Sequence, residues 1–104
     1  MKPIYAKDIS EKKEFSFQGE RLKQIRCANE EQHIYVYERY NRSGRLYAYE
    51  VVRGKKTKNP DGNIVYTYPT SEMFGSFGLF ISAQHKDNPR FGIEAAIRAL
   101  TKSP

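Results

Sequence analysis

Two short turns constrain this chain more than any other feature. Asn41-Arg-Ser-Gly44 and Asn59-Pro-Asp-Gly62 share one chemistry, and each stands between runs that alternate like strands. Asn suits the first position of a type I turn, because its side chain can hydrogen-bond to the main chain two residues on. Pro60 pre-sets φ in the second turn, and Gly44 and Gly62 supply the left-handed residue that closes a three-residue loop with a bulge. Residues 34–68 therefore read as two consecutive β-hairpins, with strands over 34–40, 45–58 and 63–68.

The turn geometry sets a register. With Asn41 beside Arg45, Tyr40 faces Leu46, Glu38 faces Ala48, Val36 faces Glu50 and Ile34 faces Val52. On the opposite side Arg39 meets Tyr47, Tyr37 meets Tyr49 and Tyr35 meets Val51, since side chains alternate along a strand. One face is then mostly aliphatic. The other carries Tyr35, Tyr37, Tyr47 and Tyr49, flanked by Arg39 at one end and by Arg53 and Lys55 towards the other.

A chain of 104 residues is expected to form one domain with a modest core. Its hydrophobic fraction is only 38%, yet eight Tyr and six Phe argue against disorder. Cys27 is the single cysteine, which excludes an intrachain disulfide framework and points to a reducing compartment. No stretch has the length of a signal-peptide core or a membrane span, so a cytoplasmic location is expected. The net charge of +6 is concentrated: between Arg39 and Lys58, seven basic residues (Arg39, Arg42, Arg45, Arg53, Lys55, Lys56, Lys58) less one acid, Glu50, already give +6. Such a local patch draws anionic partners far better than the same charge spread evenly.

Outside the hairpins the expectations are simpler. Residues 1–13 are polar without periodicity and read as a mobile or loosely docked arm. Phe15-Ser-Phe17, a tight turn at Gln18-Gly19 and a return strand over 21–27 form a third hairpin, with a short helix through Leu22 and Ile25 as the competing reading. Ser71 can cap one helical turn before Gly75 stops it. The apolar run 77–82 suggests a strand covered on both faces. Asn88-Pro89 predicts a helix start, and Ile93, Ala96, Ile97 and Leu100 give that helix one apolar stripe. The pattern Tyr68-Pro-Thr-Ser-Glu-Met-Phe-Gly75, followed by an aromatic strand and a final helix, resembles short uncharacterised proteins of bacteriophages and bacterial mobile elements. The resemblance covers roughly the last third of the chain and implies a genomic setting but no activity.

Chemistry-bearing constellations are sparse. His33, His85 and Cys27 have no ligand spacing, and a structural zinc site needs four donors, so no metal or other cofactor is expected. Cys27 beside Ile25 reads as a small core residue rather than as a thiolate paired with a histidine. Glu38 and Glu50 share the aliphatic face and could mark an acid pair, or lie where that face emerges into water. Gly75-Ser-Phe-Gly78 lacks the length and the lysine of a phosphate cradle.

Two readings of the tyrosine face stay open. Aromatics on a sheet let unpaired bases stack while cations follow the phosphates; equally, tyrosines are strong strand formers that pack as core, the commoner fate. The expected fold is α+β, an antiparallel β-sheet built as a meander of hairpins with one C-terminal helix packed on one face. The expected function is a non-enzymatic module that binds nucleic acid through Tyr35, Tyr37, Arg39, Arg42, Arg45, Tyr47, Tyr49, Arg53, Lys55, Lys56 and Lys58. The alternative is a protein-interaction factor, an inhibitor or adaptor, using the same surface, since Tyr and Arg are enriched in binding hot spots.

Overall fold

A computed structural model describes residues 7–102. Seven strands and one helix follow in order: β1 (Glu14–Phe17), β2 (Glu20–Asn29), β3 (Ile34–Tyr40), β4 (Leu46–Arg53), β5 (Lys55–Lys58), β6 (Ile64–Thr67), β7 (Gly78–Ser82) and α1 (Ile93–Leu100). The main sheet has the order β1-β2-β3-β4-β7 with every pair antiparallel, while β5 and β6 form a separate two-stranded ribbon. Helix α1 packs on the main sheet, so the fold is α+β as the hairpin pattern predicts.

The turns form as their residues dictate. Asn41 N donates to Arg45 O and Gly44 N to Asn41 O, both at 2.9 Å, and Asn59 makes the same bonds with Asn63 and Gly62. Each Asn side chain accepts main-chain N–H bonds inside its loop, and Gly44 and Gly62 take φ of 85° and 84°. The first hairpin is also the expected one: Gln18 and Gly19 adopt positive φ between β1 and β2, so the strand reading of residues 21–27 holds over the helical one.

The register between β3 and β4 differs from the expected one. Tyr40 pairs with Leu46, but Arg39 pairs with Ala48, leaving Tyr47 as the extra residue of a β-bulge. Beyond it the pairs are Tyr37 with Glu50, Val36 with Val51 and Tyr35 with Val52. Without the bulge, Glu50 would enter the helix-covered face with no cation beside it, a costly burial. With it, Glu50 lies on the face of Arg39. The helix side of the sheet becomes Ile34, Val36, Tyr49, Val51 and Ile81 against Ala96 and Leu100. The other side becomes Leu22, Tyr35, Tyr37 and Val52, covered by Ile9, Phe15, Tyr66, Tyr68 and Phe74.

The expected strand over 45–58 is broken at Gly54, which is buried between β4 and β5. A Cβ there would sit 2.8 Å from Tyr66 Cβ and 3.1 Å from Ile9 Cγ2, so only glycine allows β6 and the N-terminal segment to close on this point. Of the expected N-terminal arm, residues 1–6 lie outside the described residues. Residues 8–12 are docked: Ile9 is fully buried, Asp8 Oδ2 accepts from Tyr66 N at 2.9 Å, and Lys12 O accepts from Tyr37 Oη at 2.7 Å.

Three further expectations are corrected. Strand β7 is the outer strand beside β4, and Phe80 is 51% exposed, so the run is not covered on both faces. Its apolar residues serve the helix side through Ile81 and Leu79. The helix begins at Ile93, because Asn88 Oδ1 instead accepts from Arg90 N and Phe91 N and holds 88–91 as a turn. Cys27 is exposed, since the irregularities flanking it in β2 turn it out of the core.

Candidate functional site

The bulge at Tyr47 gathers a polar cluster on the face away from the helix. Glu50 is completely buried. One of its carboxylate oxygens accepts from Arg39 Nη1 and the other from Tyr68 Oη. Arg39 Nε reaches Glu20 Oε1 at 2.6 Å, and Tyr47 Oη donates to the same oxygen at 2.5 Å. Burial disfavours the charge on Arg39, but its bonds to Glu20 and Glu50 outweigh this and raise its pKa. The hydroxyl of Tyr47 and then the Arg39 guanidinium hold the Glu20 carboxyl below the usual range. Burial first, and the Glu50 charge second, push the Tyr68 hydroxyl far up. A guanidinium shared between two carboxylates, each also held by a tyrosine hydroxyl, fixes these side chains in one geometry.

The tyrosines do not form an open platform. Tyr37 has no exposed surface: its hydroxyl donates to Lys12 O and accepts from Gln24 Nε2 at 3.0 Å. Tyr35 is buried beside it, and burial pushes both hydroxyls up to about 12. Tyr49 lies on the opposite side of the sheet in the helix-side core. Tyr47 is half-buried and occupied with Glu20. The expected two-by-two array of rings is therefore split by the bulge, and the core reading of these side chains is the one realised. Glu38 and Glu50 are likewise separated, because Glu38 pairs across from Tyr49 and Glu50 across from Tyr37.

The cations fall into four groups. Arg39 is held inside the polar cluster. Arg42 and Arg45 are exposed at the β3–β4 turn, Arg42 donating from Nε to Gln18 O at 3.3 Å. Arg53 is half-buried at the far end of β4, where Nη1 donates to Leu100 O at 3.1 Å and the guanidinium covers Phe77. Lys55, Lys56 and Lys58 all sit on one strand of the β5–β6 ribbon, Lys56 and Lys58 exposed. No ion pair among the described residues involves Arg42, Arg45, Lys55 or Lys56. The ribbon is anchored through Tyr66, whose ring stacks on His33 with centroids 3.5 Å apart.

Sequence reasoning did not single out Glu20 or Tyr68. The one available signal is that Glu50 is the lone acid of a strongly basic stretch, so its partners must include a cation nearby. Among the described residues no three His, Cys, Asp or Glu side chains converge as metal ligands. No protein-family model, no curated protein and no solved structure matches the chain.

Proposed function

We propose that this protein is a non-enzymatic binding module that engages nucleic acid through the charge of its β5–β6 ribbon. The observation that carries the reading is the ribbon's separation from the main sheet: two antiparallel strands with three lysines on one of them. A two-stranded β-ribbon fits the major groove of a duplex, and lysines supply point charges for phosphates. With Tyr35, Tyr37 and Tyr49 buried, base stacking drops out of the mechanism and backbone charge remains. Arg42 and Arg45 stand at the opposite end of the eight-residue strand β4, roughly 26 Å away at 3.3 Å per residue, and form a second contact at most. The exposed thiol of Cys27 supports a reducing, cytoplasmic setting. Among the described residues no helix is long and apolar enough to cross a membrane.

The test is binding of a duplex, a single strand and heparin in one buffer, followed as salt is raised. Three lysines on phosphates give a slope of log K against log salt of roughly −2 to −3, and Lys55→Ser, Lys56→Ser and Lys58→Ser together remove most of it. Preference for the duplex over heparin supports groove docking. Absence of binding to all three at about 0.15 M salt discards the reading and leaves the protein-interaction factor, an inhibitor or adaptor of mobile-element type, in its place.

A further inference from the structure

The β5–β6 ribbon has two unlike faces. Lys58 pairs directly across from Ile64 and Lys56 from Tyr66, so strand alternation puts these four side chains on one face. Lys55, Thr57, Val65 and Thr67 make up the other. The first face changes character along its length. Near the main sheet Tyr66 stacks on His33 and packs against the core that contains Ile9. Beyond Tyr66 the face is open: Lys56 and Lys58 are exposed, and Ile64 is 49% exposed. Ile64 thus stands opposite one lysine and diagonal to the other, within reach of both stems.

The polar side chains of the ribbon that could read a base edge lie elsewhere. Thr57 and Thr67 are on the opposite face with their hydroxyls 3.2 Å apart, and Thr57 also donates to Lys55 O. Asn59 Oδ1 accepts from Asp61 N and Asn63 N inside the turn. Asn63 falls by alternation on the side of Val65. Asp61, in the turn, is the one acid of residues 55–67, which carry a net of +2. On a duplex the two lysines have phosphates to contact, whereas a branched hydrocarbon has none. Among the groups that base pairs present in the major groove, the C5-methyl of thymine is the apolar one; the rest are hydrogen-bond donors and acceptors. Against any other base Ile64 would take a polar edge out of water and return no hydrogen bond.

We propose that Ile64 is a specificity-determining residue that packs on thymine C5-methyl groups in the major groove, giving the ribbon a preference for thymine-containing steps. This rests on the nucleic-acid reading of the ribbon and adds a base preference to it. The test measures binding of the full chain to a mixed-sequence duplex and to the same duplex with uracil in place of every thymine. That exchange removes the methyls and leaves every hydrogen-bonding group in place. The uracil duplex should bind about fourfold more weakly, the scale of one buried methyl. Methylating the cytosines at C5 puts the same group back on the major-groove edge and should recover part of the loss. Ile64→Ser alters an exposed side chain, so it should fold, bind all three duplexes alike and keep the salt slope of the parent. Lys58→Ser should weaken all three and preserve their ratios. Equal affinity of the parent for the thymine and uracil duplexes, or discrimination that survives Ile64→Ser, overturns this proposal and leaves the ribbon's charge-based reading standing. Absence of binding to any duplex at about 0.15 M salt overturns both.

Discussion

Arg39 and Glu50 show how much a single pairing can commit a fold to. A buried carboxylate without its partner is costly, and here only Tyr68 would remain to Glu50 if the guanidinium were removed. Arg39→Leu should therefore destabilise by about 3–5 kcal/mol in urea unfolding. Glu50→Gln, which keeps an acceptor for Tyr68, should cost less than Arg39→Leu. The tyrosines give a second residue-scale expectation. Burial raises the Tyr35 and Tyr37 hydroxyls from 10.0 to about 12. A group whose pKa is raised by folding stabilises fully below its unfolded value and loses that contribution as pH rises through the folded one. Stability should thus fall between about pH 10 and 12, and phenolate absorbance should show a late-titrating class that Tyr37→Phe diminishes. A single phenolate transition near 10 would mean that these hydroxyls are not buried.

At the scale of elements, the local signals and the non-local ones part company. Both Asn-x-x-Gly turns, the Gln18-Gly19 turn and the stripe Ile93, Ala96, Ile97, Leu100 were legible, because each rests on chemistry within a few residues. The bulge at Tyr47 was not, since nothing in Leu46-Tyr-Ala-Tyr-Glu50 marks which residue is to be left unpaired. Missing it exchanged the faces of Tyr49 and Glu50, and with them the whole candidate site. The helix start at Asn88 was overestimated for a related reason: the same side-chain bonds that cap a helix also close a turn. Gly54 belongs between these cases, for a glycine inside a strand pattern signals a bend or a close approach without saying which. Because the approach of Tyr66 and Ile9 fills the space of a side chain, Gly54→Ala should cost about 1–3 kcal/mol of overpacking, measured by thermal or urea unfolding.

Taken whole, the molecule is a slab 22 Å thick with one sheet serving two thin cores. Four of its five main strands follow one another in sequence order, and β7 alone reaches its place beside β4 after an excursion through the ribbon. That arrangement has a kinetic consequence. Pairing β1 to β4 closes only short loops, whereas seating β7 requires closing the long segment between Arg53 and Gly78, which costs more entropy and comes later. Val51→Ala, in the middle of the β3–β4 pairing, should therefore mainly slow folding, and Ile81→Ala in β7 should mainly speed unfolding. Chevron plots of the two variants decide it: comparable effects on the two arms would place β7 in the folding nucleus. If the order holds, the lifetime of the native state is governed at its last strand to arrive, and the cheapest way to lengthen that lifetime is to strengthen the seat of β7 rather than the hairpins that found the sheet.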